Sequence, residues 1–170
     1  MNVSHECRTA KSVEWYTPAW VFQRLDIEFD LDPSSPHDMT LDWIPATKRY
    51  TVFDDGLSKP WYGRVWLNPP YSKWTQQWMR RMTAHANGIA LVFSRTDAAW
   101  FQEAIASADA VLFVAGRIEF VPGHENKHKK SRSGAASVFM AWGSESVTAL
   151  RRLSDRGFLV YPNSPVEAND

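Results

Sequence analysis

Cysteine is all but missing from the chain: Cys7 stands alone, which excludes an intrachain disulfide and a cysteine-built zinc site and suits a reducing cytoplasm. No metal is expected. Long apolar runs are missing too. None approaches the roughly 18 residues of a membrane span, and the N-terminus carries no signal-peptide pattern, so the expected setting is soluble and cytoplasmic. Charge of either sign in excess is also lacking, because 19 Lys and Arg balance 19 Asp and Glu. Bulk charge therefore announces no polyanionic partner, and any nucleic-acid binding must come from a local patch.

What is present fits one compact unit. At 170 residues the chain suits a single core, and its 44% hydrophobic content is ordinary for a globular protein. Nine tryptophans raise the aromatic content, serving a core or a base-stacking surface equally well. There is no internal repeat. Residues 1–13 read as a loose polar segment, 14–162 as one domain and 163–170 as a tail, with no room for a separate target-recognition domain.

Local patterns place the elements. Thr17-Pro18 reads as a helix start, Thr17 as N-cap and Pro18 in the first turn, with Val21, Phe22 and Leu25 on the apolar face. Ile27 to Leu31 alternates as a short strand and delivers Asp32-Pro33 to its carboxyl end. Residues 33–60 show few clear elements. Arg64 to Leu67 reads as a strand, Trp74 to His85 as a helix, and Gly88 to Phe93 as a central strand buried on both faces. A helix over Asp97 to Ala106 and a strand over Ala110 to Val114 follow, and Arg117 to Phe120 extends or pairs with that strand. Ala136 to Trp142 is a further strand. A last helix, Ser146 to Asp155, ends at Gly157 before the strand Phe158 to Tyr161. This alternation predicts an α/β domain with a mostly parallel sheet covered by helices on both faces. Ligands then collect at the carboxyl ends of the strands.

The sharpest motif is Asn68-Pro69-Pro70-Tyr71, directly after an apolar strand. Two successive prolines fix φ and remove two backbone donors, leaving a rigid turn that presents carbonyl oxygens. The Asn68 side-chain oxygen and the Pro69 carbonyl become two acceptors at fixed separation. An exocyclic amine such as N6 of adenine offers two hydrogens to such a pair. Accepting both favours the change of that nitrogen from planar towards tetrahedral and frees its lone pair for attack. Tyr71 supplies a face on which a flipped base stacks.

At this point the chain resembles a known family: the phage and prophage DNA N6-adenine methyltransferases, small Dam-like enzymes carrying the Asn-Pro-Pro-Tyr motif. The matching segments are Glu14 to Pro18, Phe29 to Pro33, Asp55 to Trp61, Leu67 to Ser72, Ser94 to Asp97 with Trp100-Phe101, and Gly116 to Phe120. They cover roughly residues 14–142 in the family's order. The resemblance implies a Rossmann-like methyltransferase fold in a bacterial host cell, with S-adenosylmethionine as methyl donor and double-stranded DNA as partner. Carried over by residue, Tyr16, Thr17 and Pro18 line the methionine end of the cofactor. Asp32 and Pro33 form the strand-end pair whose carboxylate faces the cofactor's amino group. Asp54 and Asp55 match the acidic position near its adenine, and Phe120 sits where related enzymes set a second aromatic against the flipped base. The sequence departs from the fold's pattern in one respect. Where a glycine-rich turn usually follows the first strand, Pro33-Ser34-Ser35-Pro36-His37 contains no glycine, and Asp38 and Asp42 are the nearest candidates for a ribose-binding carboxylate.

The densest basic segment follows Phe120. Lys127, Lys129, Lys130 and Arg132 share one polar loop and are expected to hold DNA phosphates without reading sequence. Two alternatives stay open: methylation of an RNA base or a protein glutamine amide by the same chemistry, or a catalytically silent DNA-binding module.

Overall fold

The computed structural model describes residues 15–38, 41–123 and 134–163. The expected loose segment 1–13 and residues 164–170 of the tail lie outside them. In chain order the elements are β1 (Trp15–Tyr16), α1 (Ala19–Leu25), β2 (Phe29–Asp32), β3 (Ala46–Arg49), β4 (Val65–Leu67), α2 (Thr75–His85) and β5 (Gly88–Phe93). Then come α3 (Ala99–Ser107), β6 (Ala110–Val114), β7 (Val121–Pro122), β8 (Ser137–Trp142), α4 (Ser144–Arg151) and β9 (Gly157–Val160).

Seven strands form one sheet in the order β3-β2-β4-β5-β8-β6-β9, and β1 pairs with β7 in a separate two-stranded ribbon. The pairings β2–β3, β2–β4 and β4–β5 are parallel. Those of β5–β8, β6–β8 and β6–β9 are antiparallel. The expected mostly parallel sheet is therefore corrected to a mixed one. β8 runs against its neighbours and wedges between β5 and β6, and β9 runs against β6 at the edge. An apolar run buried on both faces reads the same in either direction, so composition could not report the reversal.

Helices do cover both faces. Val21, Phe22 and Leu25 of α1 and Ala149 and Leu150 of α4 share one core with Trp66, Leu91 and Phe139. Trp78, Met79 and Met82 of α2 and Phe101 and Ala104 of α3 share the other with Leu67, Val92 and Met140. The alternation of β8 divides its residues between these cores, as a strand buried on both faces must. Among the described residues no helix is long and apolar enough to cross a membrane.

Three further readings change. Helix α1 begins at Ala19 with Pro18 as its N-cap, so Thr17 is not the capping residue and no side chain caps that end. β3 lies within the stretch that showed few elements. It is a polar edge strand with no fully buried position, and an edge strand facing solvent carries no apolar alternation to read. Arg117 to Phe120 is not a strand. Ile118 and Phe120 turn inward to the core, Glu119 makes only an isolated bridge, and the next two residues pair with β1.

The sheet fixes where a ligand can enter. From β2 the chain moves outward to β3, then returns across β2 to β4 and continues to β5 on the other side. The reversal sets the switch point of a doubly wound sheet between the carboxyl ends of β2 and β4, where sheets of this kind bind their ligands. Asp32 ends β2, and Asn68 follows β4 directly. The missing glycine after β2 is answered from another loop. A Cβ on Gly56 would lie 1.8 Å from the Pro33 carbonyl oxygen and 3.1 Å from the Trp78 ring, so only glycine permits this approach. Gly56→Ala is expected to destabilise the fold by about 1–3 kcal/mol, as other overpacking substitutions do. Urea unfolding measures this, and an unchanged midpoint would show that the 54–58 loop does not press on the end of β2.

Candidate active site at the switch point

The Asn-Pro-Pro-Tyr turn is clamped from behind. The Thr75 hydroxyl shares its one proton between the Pro70 carbonyl at 3.1 Å and the Ser72 carbonyl at 2.9 Å, and it accepts from the Ser72 N–H at 3.1 Å. These bonds fix the turn that leads into α2. Tyr71 is held by its ring as well. It stacks on Phe93, the last residue of β5, at 3.6 Å between centroids and 7° between planes, yet remains 41% exposed. One face of Tyr71 is backed by the Phe93 ring while the residue keeps part of its surface exposed.

The side chain of Asn68 is placed by a residue far away in sequence. Its Nδ2 donates to the Thr17 hydroxyl at 3.2 Å, and Thr17 is itself 4% exposed. The Thr17 carbonyl accepts from the Trp43 indole N–H at 2.9 Å, which anchors the acceptor. With its NH₂ committed, the Asn68 amide turns Oδ1 inward, where that oxygen is buried without a hydrogen-bond partner. Native proteins rarely leave a buried acceptor unpaired, because the lost hydration costs roughly 1–3 kcal/mol. Among the described residues no hydrogen bond reaches the Pro69 carbonyl either. Both acceptors inferred from the motif therefore lack a hydrogen-bond partner among the described residues.

Asp32 forms the other wall. It is 2% exposed, and burial pushes its carboxyl up to about 7. The Ser34 N–H, bonded to Oδ1 at 3.1 Å, the Arg49 charge and Ser35 oppose this rise without cancelling it. Ser34 also joins the two walls, since its hydroxyl donates to the Asn68 carbonyl at 3.0 Å. Arg49 organises the loop after β2 by donating to the Ser35 hydroxyl at 2.7 Å and the Leu41 carbonyl at 3.0 Å. Sequence reasoning passed over Ser34, Arg49, Thr75 and Phe93. Ser34, two residues beyond Asp32, fits a local turn signal. The other contacts cross between elements and leave no local trace.

The remaining expected residues divide. Tyr16 and Phe120 are each 4% exposed and lie in the core of the α1 face, so neither presents an open ring; the ribbon β1–β7 folds their segments together. Pro18 caps α1 beside Thr17, and Pro33 meets Gly56. Asp54 closes its own turn, accepting from the Thr51 N–H at 2.8 Å and hydroxyl at 3.0 Å; the first of these bonds does most to lower its carboxyl below the ordinary range. Asp55 is exposed, has φ 54°, and stands next to Gly56 at the end of β2. Lys127, Lys129, Lys130 and Arg132 lie outside the described residues.

A mixed α/β sheet with a buried carboxyl and two unpaired acceptors at its switch point is consistent with a methyltransferase. The family model for DNA N-6-adenine-methyltransferase (Dam) matches residues 5–156, and the chain belongs to that family of DNA adenine-methylating enzymes. No curated protein and no solved structure matches the chain.

A carboxyl raised in the folded state stabilises the fold in its neutral form. That contribution is complete below the unfolded value of 3.8 and is lost as pH rises through about 7. Asp32→Asn removes the buried charge while keeping the shape. At pH 8 it is expected to raise unfolding stability by about 1–4 kcal/mol, the scale of the shift, with the gain vanishing in acid. Denaturant unfolding across pH checks this, and a gain independent of pH would contradict the assignment.

Proposed function

We propose that this protein transfers a methyl group from S-adenosylmethionine to N6 of an adenine swung out of duplex DNA. The open Asn68 Oδ1 carries the reading, since an amine is the partner such a buried acceptor lacks. Family membership supplies DNA adenine as the acceptor.

The residues at the crevice fit the cofactor. Asp32 is a buried carboxyl that needs a cationic neighbour to ionise comfortably, and the cofactor's amino group is one. Asp32 would hold that group, with Thr17 and Pro18 beside it and the exposed Asp55 near the adenine end. S-adenosylmethionine, when bound, supplies an activated methyl group. Asn68 Oδ1 and the Pro69 carbonyl then accept the two N6 hydrogens and draw the nitrogen towards tetrahedral geometry. Preorganised acceptors of this kind act without reorganising at the moment of reaction. Tyr71, braced by Phe93, captures the base by stacking. Asp32 must be ionised to hold a cation, so cofactor affinity should fall as pH drops below about 7.

The test is methyl transfer from labelled S-adenosylmethionine to unmethylated duplex, followed by nucleoside analysis. Label should appear in N6-methyladenine. Asn68→Ala should lower kcat roughly 10²-fold or more, in line with loss of an oxyanion-type stabiliser, while cofactor binding survives. Tyr71→Ala should impair base capture and Tyr71→Phe should not, because stacking needs only the ring. Label in RNA, in protein or nowhere, or an Asn68→Ala enzyme at full speed, would overturn the proposal.

A further inference from the structure

Most described arginines are spoken for. Arg24, Arg64 and Arg80 form ion pairs with Asp155, Glu145 and Glu103, and Arg156 lies over the Trp20 ring. Arg49, Arg81, Arg151 and Arg152 donate to hydroxyl or carbonyl oxygens. Arg95 and Arg117 differ. Both are exposed, and among the described residues neither joins an ion pair, a side-chain hydrogen bond or a ring contact. A guanidinium with no partner among these residues keeps its five donors for a ligand.

Their positions are related. Arg95 follows β5 by two residues, and Arg117 follows β6 by three. β5 and β6 both run antiparallel to β8 between them, so they point the same way and end at the same edge of the sheet. That is the edge that carries Asp32 and Asn68, because β2, β4 and β5 are parallel. Two strand spacings set the ends of β5 and β6 roughly 10 Å apart. Arg95 continues from Phe93, whose ring supports Tyr71, and the bond from the Ser94 N–H to the Ala136 carbonyl at 2.8 Å fixes that exit. Gly116, at φ 78° with open space around its Cβ position, lies in the bend just before Arg117. Asp97, the acidic residue nearest Arg95 in sequence, forms no ion pair with it.

We propose that Arg95 and Arg117 form a phosphate-binding edge that seats the duplex over the switch point, beside the Tyr71 ring. Planar guanidinium groups suit phosphate oxygens, and a chain with no net charge needs its free cations on the face that meets the polyanion. The partner is the backbone of double-stranded DNA; these residues position it and do not read its bases. This inference rests on the proposed function for its substrate.

The test compares wild type, Arg95→Gln, Arg117→Gln, the double variant and Arg80→Gln, titrating each with a fluorescent unmethylated duplex across a salt series. Each single substitution at the edge should reduce the log–log salt slope by about 0.9, and the double variant by about 1.8. Arg80→Gln, which removes an exposed arginine already paired with Glu103, should leave the slope unchanged. The methylated sequence context should match wild type in every variant, with the loss in the edge variants falling on the KM for DNA. Arg95→Lys with Arg117→Lys should retain the slope, since a cation remains. A double Gln variant with the wild-type slope overturns the proposal even if the enzyme methylates adenine. So does an altered sequence context, which would make these residues base readers. A wild type that leaves DNA adenine unmethylated overturns the proposed function, and this inference with it.

Discussion

The hydrogen bond from the Asn68 amide to the Thr17 hydroxyl decides which way the amide faces. An amide has a donating and an accepting end, and committing one end directs the other. Thr17 is anchored through its carbonyl by Trp43 and follows β1, which pairs with β7. Segments far apart in the chain are therefore needed to aim one oxygen. The turn after β4 supplies the amide, the Thr75 clamp makes that turn rigid, and the segment before α1 orients it. In the role proposed for it, an acceptor held this way needs no search at the moment of reaction, where misplacement by an ångström is expensive in rate.

The opposite wall shows the tension between folding and function. A buried carboxyl at Asp32 costs stability as soon as it ionises, and no basic side chain bonds to it directly in the described structure. A core built for stability alone would carry a neutral residue there. The carboxyl stays near its point of ionisation, so a cationic ligand can tip the balance while supplying the missing partner. Ser34 bonds both to Asp32 and to the Asn68 carbonyl, so the wall facing the proposed cofactor and the wall facing the proposed base are one hydrogen-bonded unit.

Much of this is legible in the amino-acid sequence, because it rests on local rules. The apolar face of α1, the buried run of β5 and the abrupt stop at Asn68-Pro69-Pro70 follow from periodicity and from proline's fixed φ. The α/β class and the placement of Asp32 and Asn68 at strand ends are equally readable. What stays hidden depends on contacts between distant segments. The reversal of β8 leaves no mark on an all-apolar strand. β3 is polar because it lies at an edge, and the Thr17 hydroxyl, a plausible helix cap by sequence, is drawn instead to a residue 51 positions on. Phe120 reads as a stacking surface, but inward packing with Ile118 takes it into the core, while Phe93 meets Tyr71 through a contact that no spacing announces.

The coupling between Thr17 and Asn68 tests the account most directly, through a double-mutant cycle on kcat for DNA methylation. Thr17→Val keeps the shape but removes the hydroxyl that orients the amide. It should slow the native enzyme roughly tenfold, the effect of about 1.4 kcal/mol of misplaced stabilisation. In an Asn68→Ala background there is no amide left to orient, so the same substitution should cost nothing further. An equal loss in both backgrounds would contradict the account, because Thr17 would then act independently of the oxygen it is held to aim.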